Sequence, residues 1–242
     1  MQFPAAYFFS MEYTRHTQAL DQLREVAKKT DSVCVGFSGG KDSLVCIDLC
    51  CKVFKNVYPF FMYFIPGLDC CEAYLEYARK RWNVEIKQYP HWLLARVIKN
   101  GIYCNPTRKM ADAMPDFTTH DIYKIAMHET GVRHLVTGAK DSDSMWRRRY
   151  FSITKMPELL FPIKPWNKFD VISYLKLNDI PVPASTASAS GVDMSRESLM
   201  FMHDNWPTDF ERIRAFFPFI DALIYREKWF PNGKKTNKKL LI

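Results

Sequence analysis

Residues Ser38-Gly39-Gly40-Lys41-Asp42-Ser43 gather the side chains best suited to chemistry in this chain. Two glycines let a backbone turn tightly and approach a ligand closely. The N–H groups of such a turn and of a helix that follows it converge on one point. With the helix dipole they bind a tetrahedral anion, phosphate or sulfate. Lys41 adds a full positive charge, and Ser38 and Ser43 add hydroxyl donors. Asp42 is out of keeping beside an anion; its position suits a helix cap or a share in a metal ion carried by phosphates.

Three other readings compete for these residues. A Walker A loop needs a glycine six residues before the lysine and Ser or Thr after it, where this chain has Val35 and Asp42. Gly36-Phe37-Ser38-Gly39-Gly40 satisfies the G-x-S-x-G elbow of a serine nucleophile. That reading needs a partner among His91, His120, His128, His134 and His203, none in a telling setting, and has no use for the Lys-Asp-Ser that follows. A turn that binds nothing leaves the coincidence of two glycines, a lysine and two serines at a helix start without a reason.

The elements around the loop are those that aim it. Ser32 to Phe37 is short, apolar and β-branched, a buried strand, and residues 42–54 have helical apolar spacing. Strands are expected at Val57 to Ile65, Val84 to Gln88, Arg133 to Thr137 and Leu159 to Ile163. Helices are expected over 12–29, 70–82, 119–130, 168–178 and 195–229. Residues 99–117, with Gly101, Pro106 and Pro115, read as a long loop, and 184–192 as a flexible Ala/Ser/Thr stretch. Alternating strands and helices predict a doubly wound, mostly parallel sheet, whose ligands bind beyond the C-terminal strand ends. The ends after Phe37 and after Thr137, both leading into glycine, are the places to look.

The chain has 242 residues, 48% of them apolar, enough for a sizeable core. No apolar run reaches the length of a membrane span, and Met1 to Ser10 lacks the basic start and cleavage site of a secretory signal, so a cytoplasmic protein without membrane partners is expected. Seven cysteines, at 34, 46, 50, 51, 70, 71 and 104, form no C-x-x-C and no zinc-spaced set. Cys70-Cys71 is the pair to watch for redox chemistry. The net charge of +8 draws polyanions without saying which; the excess lies in Arg147-Arg148-Arg149 and in the tail with Lys234, Lys235, Lys238 and Lys239.

The string Ser38 to Ser43 resembles, without departure, the SGGKDS signature of the PP-loop ATP pyrophosphatases, which include phosphoadenosine-phosphosulfate (PAPS) reductases, tRNA thiolases and lysidine synthetases. Later segments are similar to the PAPS-reductase branch: Thr137-Gly138-Ala139-Lys140-Asp141-Ser142-Asp143-Ser144 with Arg147, then Phe161 to Trp166 with Asp170-Val171 and Tyr174-Leu175, then Asn178 to Pro183. Phe64 to Asp69 falls at the second strand end, where that family places adenine and ribose. The likeness spans roughly residues 20–190. It departs at the end: the family's late E-C-G-L-H segment carries the cysteine that attacks sulfur, and this chain has no cysteine after Cys104. Without that thiolate the known reductase step does not run.

The resemblance implies an adenine nucleotide alpha hydrolase-like α/β domain over residues 1–190 and a helical extension with a basic tail over 191–242. It implies a nucleotide site of Phe37, Ser38, Gly39, Gly40, Lys41, Asp42, Ser43, Phe64, Gly138, Lys140, Asp141 and Arg147. Lys41, Asp42 and Ser43 act on the reacting phosphates, Lys140 and Arg147 neutralise charge, and Asp42 or Asp141 holds Mg²⁺. ATP with Mg²⁺ is the expected substrate, with PAPS or APS as the alternative. No iron–sulfur cluster or zinc is expected. The reaction implied is adenylation of an unidentified acceptor. The alternatives are a PAPS or APS reductase or sulfotransferase-like enzyme using Cys70, Cys71, Cys104 or another thiol, and a non-catalytic nucleotide or nucleic-acid-binding module. A homodimer is an open possibility, and nucleic acid is the less favoured partner.

Overall fold

A computed structural model describes residues 5–153, 156–183 and 194–230. Five parallel strands lie in the order β3-β2-β1-β4-β5. They are β1 Ser32–Gly36, β2 Asn56–Tyr63, β3 Lys87–Pro90, β4 Leu135–Val136 and β5 Leu159–Leu160. From β1 the chain winds outward through β2 to β3, then returns to place β4 on the other side of β1. The reversal lies between β1 and β4, where a doubly wound sheet opens a crevice at its carboxyl edge. The all-parallel sheet bears out the expected fold class.

The pleat sorts the apolar residues to two faces, because successive side chains of a strand point opposite ways. Cys34, Phe60, Leu135 and Leu159 pack with Ile122 and Ala126 of helix α6 (Thr119–Thr130). Val33, Val35, Phe61, Val136 and Leu160 join the larger core on the opposite face. That core takes in α1 (Ala5–Ala27), α2 (Lys41–Val53), α3 (Asp69–Trp82) and α8 (Lys168–Leu177). Burying each such Leu, Val or Phe contributes about 1.5–3 kcal/mol.

The helix ends follow local chemistry. Thr118 with Asp121 and Asn167 with Asp170 form reciprocal capping boxes at α6 and α8. The carboxylate of Asp170, tied into the second box, also pairs with Arg15 of α1. Gly131 ends α6 in the left-handed region at φ 67°.

Four elements differ from the sequence expectation. Strand β3 is displaced toward the C-terminus, because pairing with β2 aligns Phe60 with Lys87 and Tyr63 with Pro90; β2 sets that register, and the apolarity of Val84 and Ile86 misled. The region 99–117 is not all loop: α4 (Leu94–Lys99) runs to its edge and α5 (Arg108–Ala113) lies inside it, the latter capped by the Thr107 hydroxyl, which accepts the Met110 N–H. The arginine triplet lies in α7 (Met145–Ile153), begun by Ser144, whose hydroxyl accepts the Arg147 N–H at 3.1 Å. The helical stretch 195–229 is three helices, α9 Arg196–Asn205, α10 Pro207–Phe216 and α11 Asp221–Trp229.

Those three helices share the large apolar core through Leu199, Met202, Phe210, Ile213 and Leu223. α10 also completes α3. Asp209, 1% exposed, accepts the Asp69 and Cys70 N–H groups at 2.9 and 2.8 Å, and Arg212 donates to both Asp209 and the Gly67 carbonyl. A carboxylate there meets both the unpaired donors and the positive end of the helix dipole. The expected boundary at 190/191, the flexible stretch 184–192 and the basic tail lie outside the described residues. Among the described residues, no helix is long and apolar enough to cross a membrane.

Candidate functional site

The loop between β1 and α2 turns as its glycines allow. Gly39 has φ 74°, a left-handed conformation that glycine adopts without strain, and Gly40 caps α2 in an extended one. Ser43, 5% exposed, is committed to the loop: its hydroxyl donates to the Gly40 carbonyl at 2.8 Å and accepts the Ser38 N–H at 3.2 Å. The Ser38 hydroxyl meets Ser43 Oγ at 3.3 Å and accepts the Gly40 N–H at 3.4 Å. The two serines shape the turn, leaving the first-turn N–H groups of α2 to meet an anion.

Across the crevice, the end of β4 presses against this turn. A β-carbon on Gly138 would stand 3.0 Å from the Asp42 carbonyl carbon and 3.1 Å from its oxygen. A side chain there would fit only if the Asp42 backbone gave by a few tenths of an ångström. Lys140, 2% exposed, sends its ammonium to 2.6 Å from Asp42 Oδ1 and 2.9 Å from Asp143 Oδ1. Both are close ion-pair approaches without hydrogen-bond angles. A buried ammonium is tolerable only with such partners. Lys41 takes the other Asp42 oxygen at 2.8 Å. Two cations therefore balance two carboxylates. The positive field left over comes from the α2 N-terminus and from Arg147.

The crevice holds a cavity of about 290 Å³. Of the residues expected from sequence, it brings together Phe37, Ser38, Asp42, Ser43, Gly138 and Arg147. Gly39, Gly40 and Lys41 belong to the adjoining turn. Lys140 lies behind the wall, holding Asp42 and Asp143. Asp141 is outside the lining: its N–H donates to the Lys164 carbonyl, and its carbonyl accepts from Arg148 Nε. Phe64 backs the wall rather than forming it, stacked on His91 with ring centroids 4.4 Å apart.

Sequence reasoning missed Asp143 and the aromatic wall. Phe60 and Met62 from β2, His91 beyond β3 and Tyr123 from α6 line the cavity opposite the loop. The Phe60 and Tyr123 rings meet edge-on at 6.0 Å. Nδ1 of His91 accepts the Leu93 N–H at 3.2 Å, which places a neutral ring's proton on Nε2. The arrangement is suited to a flat, partly apolar group against the rings and an anionic group at the loop. An available signal for the wall was the aromatic content of the second strand, which reads equally as core.

The cysteines stand apart from this cavity. Cys70 and Cys71 have their sulfurs 3.8 Å apart at the start of α3, and Cys70 lies 3.7 Å from the Met202 sulfur. Contact with Cys71, and then burial, push the Cys70 thiol far above the ordinary thiol range. Burial raises Cys104 as well. None of the three lines the cavity. Among the described residues, no group of three or more His, Cys, Asp or Glu side chains is arranged to hold a metal ion.

Comparison with curated protein sequences returned no match. Among solved structures, the chain resembles an FMN adenylyltransferase from Candida glabrata in complex with ATP, with a TM-score of 0.51 and 14% identity over 75% of this chain and 60% of that one. It also aligns with an ammonia-dependent NAD synthetase from Campylobacter jejuni, at a TM-score of 0.49 and 16% identity over 90% and 94% of the two chains. A U34-tRNA thiolase from Methanococcus maripaludis, described with its [4Fe-4S] cluster, aligns at 0.45 and 16% identity over 88% and 80%. That thiolase is described with a [4Fe-4S] cluster, so the expectation that no iron–sulfur cluster attends a chain of this kind is withdrawn. Linear cysteine spacing excludes little, because cluster ligands are gathered in space by the fold. A model of the phosphoadenosine phosphosulfate reductase domain matches residues 32–184, from the first residue of β1 to just past α8. The chain therefore belongs to the phosphoadenosine phosphosulfate reductase domain family, within the PP-loop adenine nucleotide alpha hydrolase superfamily of enzymes.

Proposed function

We propose that the chain binds ATP in the crevice and transfers its adenylate to an acceptor oxygen, releasing pyrophosphate. The observation that carries this reading is one cavity with an anion-gripping loop on one side and an aromatic wall on the other, at the sheet's switch point. The adenine lies along Phe60, Met62 and Tyr123, and the phosphates run toward the α2 N-terminus. The acceptor oxygen attacks the α-phosphorus. As that P–O bond forms, the bond to the bridging oxygen breaks, and pyrophosphate leaves with the electron pair. Charge building on the leaving group falls where the loop N–H groups and the helix dipole already point, so their stabilisation needs little reorganisation, and Lys41 adds its charge by turning from Asp42. Arg147, on the cavity wall, meets the remaining phosphate charge. Asp42 and Asp143, held by Lys140, keep the β4 end against the loop.

Reduction of a sulfonucleotide by the chain's own thiol is the weaker reading. It needs a thiolate at the cavity; contact with Cys71 and then burial disfavour ionisation of Cys70, and burial disfavours that of Cys104. The test is thermal unfolding with ATP, APS, PAPS and adenosine 3′,5′-bisphosphate, followed by product analysis from ATP. ATP should raise the melting temperature most, because a ligand of the native state stabilises it in proportion to its affinity. Turnover should give AMP and pyrophosphate. Stabilisation by PAPS and the bisphosphate but not ATP, or steady release of ADP and phosphate, overturns the reading.

A further inference from the structure

A second cavity, of about 260 Å³, adjoins the first. It is a pocket open to solvent on one side, bounded by α4, the segment after α5 and the start of α6. Leu94, Ala95, Ile98, Met114, Phe117 and Ile125 make its walls almost wholly apolar. His91 lines both cavities. On α6, Ile122 faces the apolar cavity while the next residue, Tyr123, faces the first. The His91 ring and two successive residues of α6 stand between the two spaces.

An apolar cavity of about 150 Å³ accommodates a benzene ring. The space here exceeds that, with room for a ring carrying a short alkyl substituent. Its walls are wet when it is unfilled, and covering them with an apolar body is favourable by about 25 cal/mol per Å². A ligand seated with its apolar body on these walls and its polar end at His91 faces the first cavity. The shared wall offers no base. Nδ1 of His91 already accepts the Leu93 N–H, and the carboxylates of Asp42 and Asp143 are turned to Lys140. An acceptor oxygen here must arrive already ionised at neutral pH, and a carboxylate does.

We propose that this cavity holds the body of the acceptor, a small carboxylic acid with an aromatic or branched-alkyl body, its carboxylate at His91. The identity of the acceptor as an adenylated acid rests on the function proposed above. One carboxylate oxygen forms the new bond to the α-phosphorus, the bond to pyrophosphate breaks, and the product is an acyl adenylate; no proton is transferred.

The experiment uses 4-propylbenzoate as the probe, acetate as the control and the whole chain. Saturation-transfer NMR should show the ring and propyl protons of the probe in contact with protein, with no transfer to acetate. Ala95→Trp and Met114→Trp fill the cavity from two different walls, so the second remains a test should the first fail to fold. Each folded variant should bind the probe at least tenfold more weakly. Absence of binding to the unsubstituted chain, or less than a tenfold loss in a folded variant, overturns the proposal. The ATP melting shift is measured alongside. Its absence while the probe behaves as expected removes the adenylation reading and leaves the carboxylate cavity standing.

Discussion

Lys41 is the cation with most to do at the loop, because Lys140 is buried beneath two carboxylates. Hydrogen bonds to charged groups contribute about 1.5–3 kcal/mol, so Lys41→Ala should weaken ATP binding roughly 10- to 100-fold. Titration calorimetry reads this directly, and unchanged affinity would remove Lys41 from the site. Lys41, Ser43 and Gly138 were legible in the sequence because the anion grip is a local device of neighbouring residues. Asp143 was not. Asp141 and Asp143 lie in one short polar run, and only the fold decides that Asp143 meets Lys140 while Asp141 faces Lys164 with its backbone. His134 gives a pH prediction. Burial first, and then the Arg133 charge, hold its pKa below the ordinary 6.5. The unfolded chain then takes up the proton first as the pH falls. The contribution of neutral His134 is complete above about pH 6.5 and is lost as pH drops through that value toward the folded pKa. Urea midpoints between pH 7 and 5 should fall less steeply in His134→Gln than in the parent chain.

Two predictions concern how elements meet. Gly138→Ala places a methyl against the Asp42 backbone, and overpacking of this kind costs about 1–3 kcal/mol. The strain falls on the first turn of α2, so the variant should lose ATP binding along with stability. Urea unfolding and calorimetry on the same sample check both, and full ATP affinity would show that the turn yields freely. Asp209→Ala leaves the Asp69 and Cys70 N–H groups of α3 without their acceptor, at a cost of about 1–3 kcal/mol in urea unfolding. Asp209→Asn retains an acceptor and should recover part of that loss. A loss below about 0.5 kcal/mol for the alanine variant would mean that water replaces the carboxylate. The strand–loop–helix unit at β1 and α2 was readable because apolar run, glycine pair and helical spacing agree. The short β4 and β5, two residues each, are fixed by pairing with neighbours, as is the displaced register of β3.

At the scale of the whole molecule, the parallel sheet followed from the alternation of patterns, but the aromatic wall did not. Phe60, Met62, His91 and Tyr123 come from three separate stretches of chain, and apolar residues in a strand or helix read as ordinary core until topology sets them around one space. The C-terminal helices pose the same difficulty, since their apolar spacing gives no sign of where they dock. The Asp209 bridge gives that docking a consequence in time. The Cys70 N–H waits for an acceptor 139 residues further along the chain. At roughly 5–20 residues per second, a ribosome needs roughly 7–28 s to supply it. Through that interval the nascent sheet has its loop and first crossover in hand, while the start of α3 is met only by water and the apolar side awaiting Leu199, Met202 and Phe210 stays open to other chains.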